Sequence, residues 1–75
     1  MAKNKKFRKL LKERNVKRKA LAERLGVSVR TVEYWISGRN RPSIINIIAM
    51  AKMFNMTIEN VYAIFKENDN RGGRI

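Results

Sequence analysis

The sequence predicts an all-α protein, five short helices around one core. Three observations carry this expectation. The 75 residues contain one proline and four glycines. No useful length of chain alternates apolar and polar residues as a half-buried strand would. Apolar side chains instead return every three or four residues, the spacing that gathers them on one side of a helix. A chain of this length makes one domain, and one so small buries only about 60% of the surface its unfolded form exposes. The expected boundaries are a domain over residues 1–66 and a disordered tail over 67–75, "ENDNRGGRI", which lacks apolar periodicity and holds two adjacent glycines.

The stretch "KKFRKLLKER", residues 5–14, places Phe7, Leu10, Leu11 and the stem of Arg14 at i, i+3, i+4 and i+7. This is an amphipathic helix, basic on its outer face and broken by Asn15. In "RKALAERL", residues 18–25, Leu21, Ala22 and Leu25 turn inward, and Gly26 stops the helix in the left-handed position such ends favour. Ser28 can cap a third helix by accepting a backbone N–H two or three residues on. That helix is expected to run to about Ser37 and stop at Gly38. Pro42 and Ser43 announce a fourth, roughly Ile44 to Phe54, with Ile44, Ile47, Ile48, Ala51 and Phe54 as its core stripe. Thr57 caps a fifth that carries Ile58, Val61, Tyr62 and Phe65, and Glu59 sits in its first turn, where the helix dipole favours negative charge.

Eighteen Lys and Arg against six Asp and Glu give a formal net charge of +12. Such a field concentrates polyanions, which makes nucleic acid a candidate partner. There is no cysteine or histidine to serve as nucleophile, base or soft metal ligand. The carboxylates of Glu13, Glu23, Glu33, Glu59, Glu67 and Asp69 form no paired constellation, and "GRNRPS" lacks the Gly-Lys-Ser/Thr ending of a phosphate loop. No enzyme activity, metal, cofactor or small-molecule ligand is expected. The basic start "MAKNKKFRK" leads into no apolar stretch, so it does not read as a secretory signal. The longest apolar run, "IIAMA", falls far short of the roughly 20 residues a membrane span needs, so no membrane partner is expected and the chain reads as soluble and intracellular.

At about 100° per residue, Val32, Trp35 and Ile36 share one face of the third helix, while Arg30, Glu33, Tyr34 and Ser37 fall opposite. Val29 lies between the two, at the helix start. Two short helices joined by a turn of three or four residues holding a glycine are what a helix-turn-helix requires.

From about Phe7 to Val61 the chain resembles the helix-turn-helix domain of the phage repressor and Cro family. The matching words are "LAERLGVS", "TV" and "W" in the third helix, then "SGRNRPS" and an apolar helix carrying "AKMFNMT". The resemblance implies a lambda-repressor-like domain whose third helix lies in the DNA major groove. Its base-contacting positions would be Val29, Arg30, Glu33 and Tyr34. Arg30 can donate twice to a guanine, Val29 can meet a thymine methyl, and Glu33 can accept from a cytosine amine. Phosphate contacts would come from Lys17, Arg18, Ser28, Thr31, Arg39, Asn40 and Arg41, which set register without reading sequence. The resemblance further implies a sequence-specific transcriptional regulator, bacterial or phage-encoded, cytoplasmic and nucleoid-associated, acting on a double-stranded operator as a homodimer. The alternative is an antitoxin-like or adaptor protein using the same fold to bind another protein.

Three features depart from the family pattern. Many members pair an arginine of the first helix with a glutamate near the end of the third, and those positions here are Leu11 and Ile36. Both have become apolar together, a coherent exchange because well-packed hydrophobes can replace a buried ion pair at little cost. Lys17 stands where a Ser or Thr usually caps the second helix, and lysine cannot accept a backbone N–H. That start is poorly capped unless Asn15 substitutes, and it would welcome an anion. The fourth helix is apolar nearly all round, with Ile45, Ala49 and Met53 on a second face. With Tyr62 and Phe65 these are the expected dimer interface.

Overall fold

Helix starts in this protein are set by side chains that accept backbone N–H groups. The computed structural model describes residues 3–69, with α1 over Lys5–Glu13, α2 over Arg18–Leu25, α3 over Val29–Ile36, α4 over Ile44–Met53 and α5 over Ile58–Phe65. Asn4, Ser28, Ser43 and Thr57 cap α1, α3, α4 and α5 by accepting from the N–H groups of Phe7, Thr31, Asn46 and Asn60. Lys17, at the head of α2, makes no side-chain cap bond. Asn15 does not stand in for it. Its left-handed backbone closes α1 instead, with φ of 56°.

Helix ends repeat one device. Asn15, Gly26, Gly38 and Asn55 all take positive φ, and the next N–H reaches back five residues in every case: Val16 to Leu11, Val27 to Ala22, Arg39 to Tyr34 and Met56 to Ala51. These are Schellman closures, which satisfy carbonyls that helix termini would otherwise orphan. Val16, Val27 and Met56, the residues after three of the turns, pack against the core. Each of these three closures thus turns the chain and returns an apolar side chain to the interior.

The core gathers one face of every helix. Phe7 of α1, Trp35 of α3 and Phe65 of α5 form an aromatic cluster, with centroids 4.7 Å apart for Phe7–Phe65 and 6.3 Å for Trp35–Phe65 in edge-on geometry. Around it lie Leu10, Leu21, Val32, Ile47, Met50, Phe54 and Val61, all buried. Leu11 and Ile36 are both buried in this same cluster. No strand occurs among the described residues, and the all-α class with five helices is as the sequence predicts.

Four expectations need correction. In α4 the buried positions are Ile47, Met50, Ala51 and Phe54, whereas Ile44 is 56% exposed and Ile48 is also exposed. The helix is rotated so that Met50 enters the core in their place. Phe65, expected at a dimer interface, is 1% exposed and belongs to the aromatic cluster. Packing does not end at Lys66 either: α5 passes into a 3-10 turn, Lys66–Asp69, and Asn68 within it is buried. The remainder of the expected tail, 70–75, lies outside the described residues. The stem of Arg14, read as part of the α1 stripe, crosses to the end of α4 instead. There its guanidinium donates to the Phe54 carbonyl and lies 5.9 Å from that ring's centre.

Candidate nucleic-acid interface

The turn between α2 and α3 is three residues long, and each has a task. Gly26, with φ of 71°, adopts the left-handed closure of α2 that a side chain would resist. Val27 anchors the turn against the core. Ser28 starts α3, its Oγ accepting from Thr31 N at 3.1 Å and lying 2.9 Å from Thr31 Oγ1. The hydroxyls of Ser28 and Thr31 are therefore engaged with each other at the helix head. On the inner side of α3, Val32, Trp35 and Ile36 are buried, so the helix is seated along its whole length.

The opposite side of α3 faces outward. Val29, Arg30 and Glu33 are exposed, and Thr31 and Tyr34 are half-buried. Arg30 projects from the first turn of the helix, one turn before Tyr34. Glu33 is engaged: its carboxylate lies 3.7 Å from the Arg18 guanidinium, both side chains about half exposed. This bridge ties the outer face of α3 to the head of α2. Tyr34 is engaged too, because the guanidinium of Arg39 sits 5.2 Å from its ring centre.

The C-terminal end of α3 is held by a dense set of hydrogen bonds. Ser37 N donates to the Glu33 carbonyl, and the Tyr34 carbonyl accepts from Arg39 N, Asn40 N and Ser37 Oγ. The Trp35 carbonyl accepts from Gly38 N and from Asn68 Nδ2, the Ile36 carbonyl from Asn4 N at 2.7 Å. Asn68 Nδ2 also donates to the Asn40 carbonyl at 2.6 Å. Residues from near both ends of the chain thus converge on the loop after α3. Sequence reasoning missed Asn4 and Asn68. Asn4 carried a readable signal, an N-cap three residues before Phe7. Asn68 carried none, since an asparagine in a polar, glycine-containing stretch reads as solvated.

The loop after α3 exposes Arg39, Asn40 and Arg41. Arg41 leans toward α5, where its guanidinium is 3.4 Å from the Tyr62 hydroxyl and stacks near that ring. Lys17 and Arg18 are exposed at the head of α2, where Arg18 forms the bridge to Glu33. Of the expected dimer residues, Ile45 is 74% exposed and Tyr62 is exposed, while Ala49 and Met53 are half-buried, Met53 against the core. The described residues hold no group of three or more carboxylate, histidine or cysteine side chains that could bind a metal ion, and no helix long and apolar enough to cross a membrane.

A protein-family model described as helix-turn-helix matches residues 7–61, from the first buried aromatic of α1 to the buried valine of α5. No curated protein and no solved structure matches the chain.

Proposed function

Because the chain belongs to the helix-turn-helix family of the repressor and Cro type, a family of DNA-binding regulators, we propose that it is a sequence-specific regulator of transcription whose α3 enters the major groove of an operator half-site. The observation that supports this best is the division of α3. Three buried side chains fix it to the body, and Arg30 projects outward from the turn nearest its N-terminus. Arg30 donates to the O6 and N7 of a guanine, and Val29 meets a thymine methyl. Glu33 accepts from a cytosine amine on one side while orienting Arg18 on the other. Tyr34 contributes at the groove edge and steadies Arg39.

Phosphates on either side of the groove are met by Lys17, Arg18, Ser28 and Thr31 at the helix heads and by Arg39, Asn40 and Arg41 after α3. Two copies bind through the exposed apolar surface of α4 and α5, on half-sites about one turn, ~34 Å, apart. Bound there, the protein represses by occupying the promoter. Selection from a random duplex pool at physiological salt tests the reading. The expected result is one enriched motif of two related half-sites. A pool that stays unenriched although the protein binds it would defeat sequence specificity and leave a charge-driven binder.

A further inference from the structure

We propose that the groove between α1 and the head of α2 holds the sugar-phosphate backbone of DNA beside the half-site, so that the protein grips the duplex outside the sequence it reads. This rests on the reading of α3 above, but its evidence lies elsewhere. Lys5, Arg8, Lys9 and Lys12, at i, i+3, i+4 and i+7, line one wall of a groove of about 680 Å³. Lys17 and Arg18 line the other. Leu11 and Ile36 contribute to an apolar floor, and no carboxylate is among the residues that line the groove.

The cations of this wall are scarcely neutralised within the protein. Lys5 and Lys9, like Arg8 and Lys12, are like charges one turn apart, an arrangement that destabilises a helix. The first turn of α1 has no acidic residue, and its lysines oppose the helix dipole. Among the described residues the wall's one ion pair is Lys9 with Glu13, exposed and 4.0 Å apart. Across the groove α2 begins without a side-chain cap, so the N–H groups of its first turn receive no side-chain acceptor from Lys17. A polyanion relieves all of these at once.

Dimensions and position favour DNA over an acidic protein segment. The seven steps along the helix from Lys5 to Lys12 advance about 10 Å at 1.5 Å each. Phosphates of one strand follow at about 3.4 Å along the duplex axis, so the wall matches about three of them. The groove also adjoins the outer face of α3 through the Arg18–Glu33 bridge. A backbone leaving the half-site past Arg18 would enter it directly.

The test is a Lys5→Gln/Arg8→Gln/Lys12→Gln variant, with the single Arg8→Gln as its companion. All three side chains are exposed and glutamine keeps helix propensity, so thermal melting should match or exceed the parent. Binding to a long mixed-sequence duplex is followed by fluorescence anisotropy over a salt series. The slope of log K against log salt should become shallower by about 0.9 per lost contact, hence by about 2–3 for the triple variant and about 0.9 for the single one. Hydroxyl-radical protection should shrink at the flanks of the selected site while its centre stays protected. A parent that binds steeply and a variant with the same slope would overturn the groove assignment alone. So would a variant that keeps its DNA slope but loses affinity for polyglutamate, which would give the groove to an acidic protein. A parent that binds no duplex at low salt would overturn this inference and the reading of α3 together.

Discussion

The side chains of Asn4 and Asn68, 64 residues apart in the chain, are hydrogen-bonded to each other at 3.0 Å and both are buried. Neither amide has a hydrogen-bonding end idle. Asn4 Oδ1 accepts from Phe7 N, and its Nδ2 donates to the Ile64 carbonyl and to Asn68 Oδ1. Asn68 Nδ2 donates to the carbonyls of Trp35 and Asn40. The network joins the cap of α1, the end of α5, the end of α3 and the loop beyond it.

Asn68→Ala should therefore destabilise the fold, because one N–H of the Asn4 amide and the Asn40 carbonyl lose the Asn68 amide and the Trp35 carbonyl keeps only Gly38 N. The cost of such a group is about 1–3 kcal/mol. At about 4–8 °C per kcal/mol for a domain of this size, the melting temperature should fall by roughly 5 °C or more. Ending the chain after Lys66 should cost at least as much, since it removes the same amide. Thermal denaturation of both variants decides the point. Parental melting in either would mean that the amide contributes nothing.

The contrast between Asn4, Asn68 and α4 indicates where the sequence was legible. Caps and stops at Ser28, Thr57, Gly26 and Gly38 rest on local chemistry and are readable residue by residue. The rotation of α4 is not local. With isoleucine, alanine and methionine on nearly every side, periodicity cannot tell Met50, which is buried, from Ile48, which is not. Phe65 fell to the same ambiguity in α5. On α3 the faces separated cleanly because three apolar residues oppose an arginine and a glutamate, although the engagement of Glu33 with Arg18 and of Tyr34 with Arg39 needed the fold. Asn68 was invisible because only the folded chain brings it to Trp35.

Leu11 and Ile36 make the second prediction. Both are buried and both border the cationic groove. Leu11→Arg puts an unpaired charge among Lys5, Arg8 and Lys12, and an uncompensated buried charge costs about 3–5 kcal/mol. Adding Ile36→Glu should recover much of that loss by restoring a pair at these positions. A double-mutant cycle on urea midpoints measures the coupling. Should the double variant be no more stable than Leu11→Arg alone, the two positions are not partners.

Lys17 offers a separable trade. Lys17→Ser supplies the missing acceptor at the head of α2 and removes a cation from it, worth about 1 kcal/mol of stability. The same change removes a proposed phosphate contact, so affinity for any duplex should fall while the protein melts higher. Opposite movements in the two assays are the expected signature. A variant less stable than the parent would show that Lys17 supports the fold in some other way.

Arg30 and Arg39 should fail differently. Arg30 projects from the outer face of α3, and its loss should remove about 1–3 kcal/mol of discrimination at one base pair while random DNA is held almost as before. Arg39 rests on Tyr34 beyond the helix end, and Arg39→Ala should weaken operator and random duplex by similar factors. Competition titrations at fixed salt compare the two. Equal losses on both DNAs for Arg30→Ala would remove it from base reading.

Ile45 tests the oligomeric state. It is the most exposed large apolar side chain described, and Ile44, Ile48, Ile58 and Tyr62 are exposed as well. In the proposed reading this surface is the contact between two copies of the chain, one for each half-site of the operator. Ile45→Glu lies outside the core, so its effect on unfolding should stay within about 0.5 kcal/mol. Placed across a twofold contact, however, it opposes its own copy and should shift the dimer toward monomer in sedimentation equilibrium. Operator affinity should fall with it, while binding to a single half-site stays unchanged. A parent that sediments as a strict monomer with and without DNA would end the dimer proposal and leave this surface to another protein.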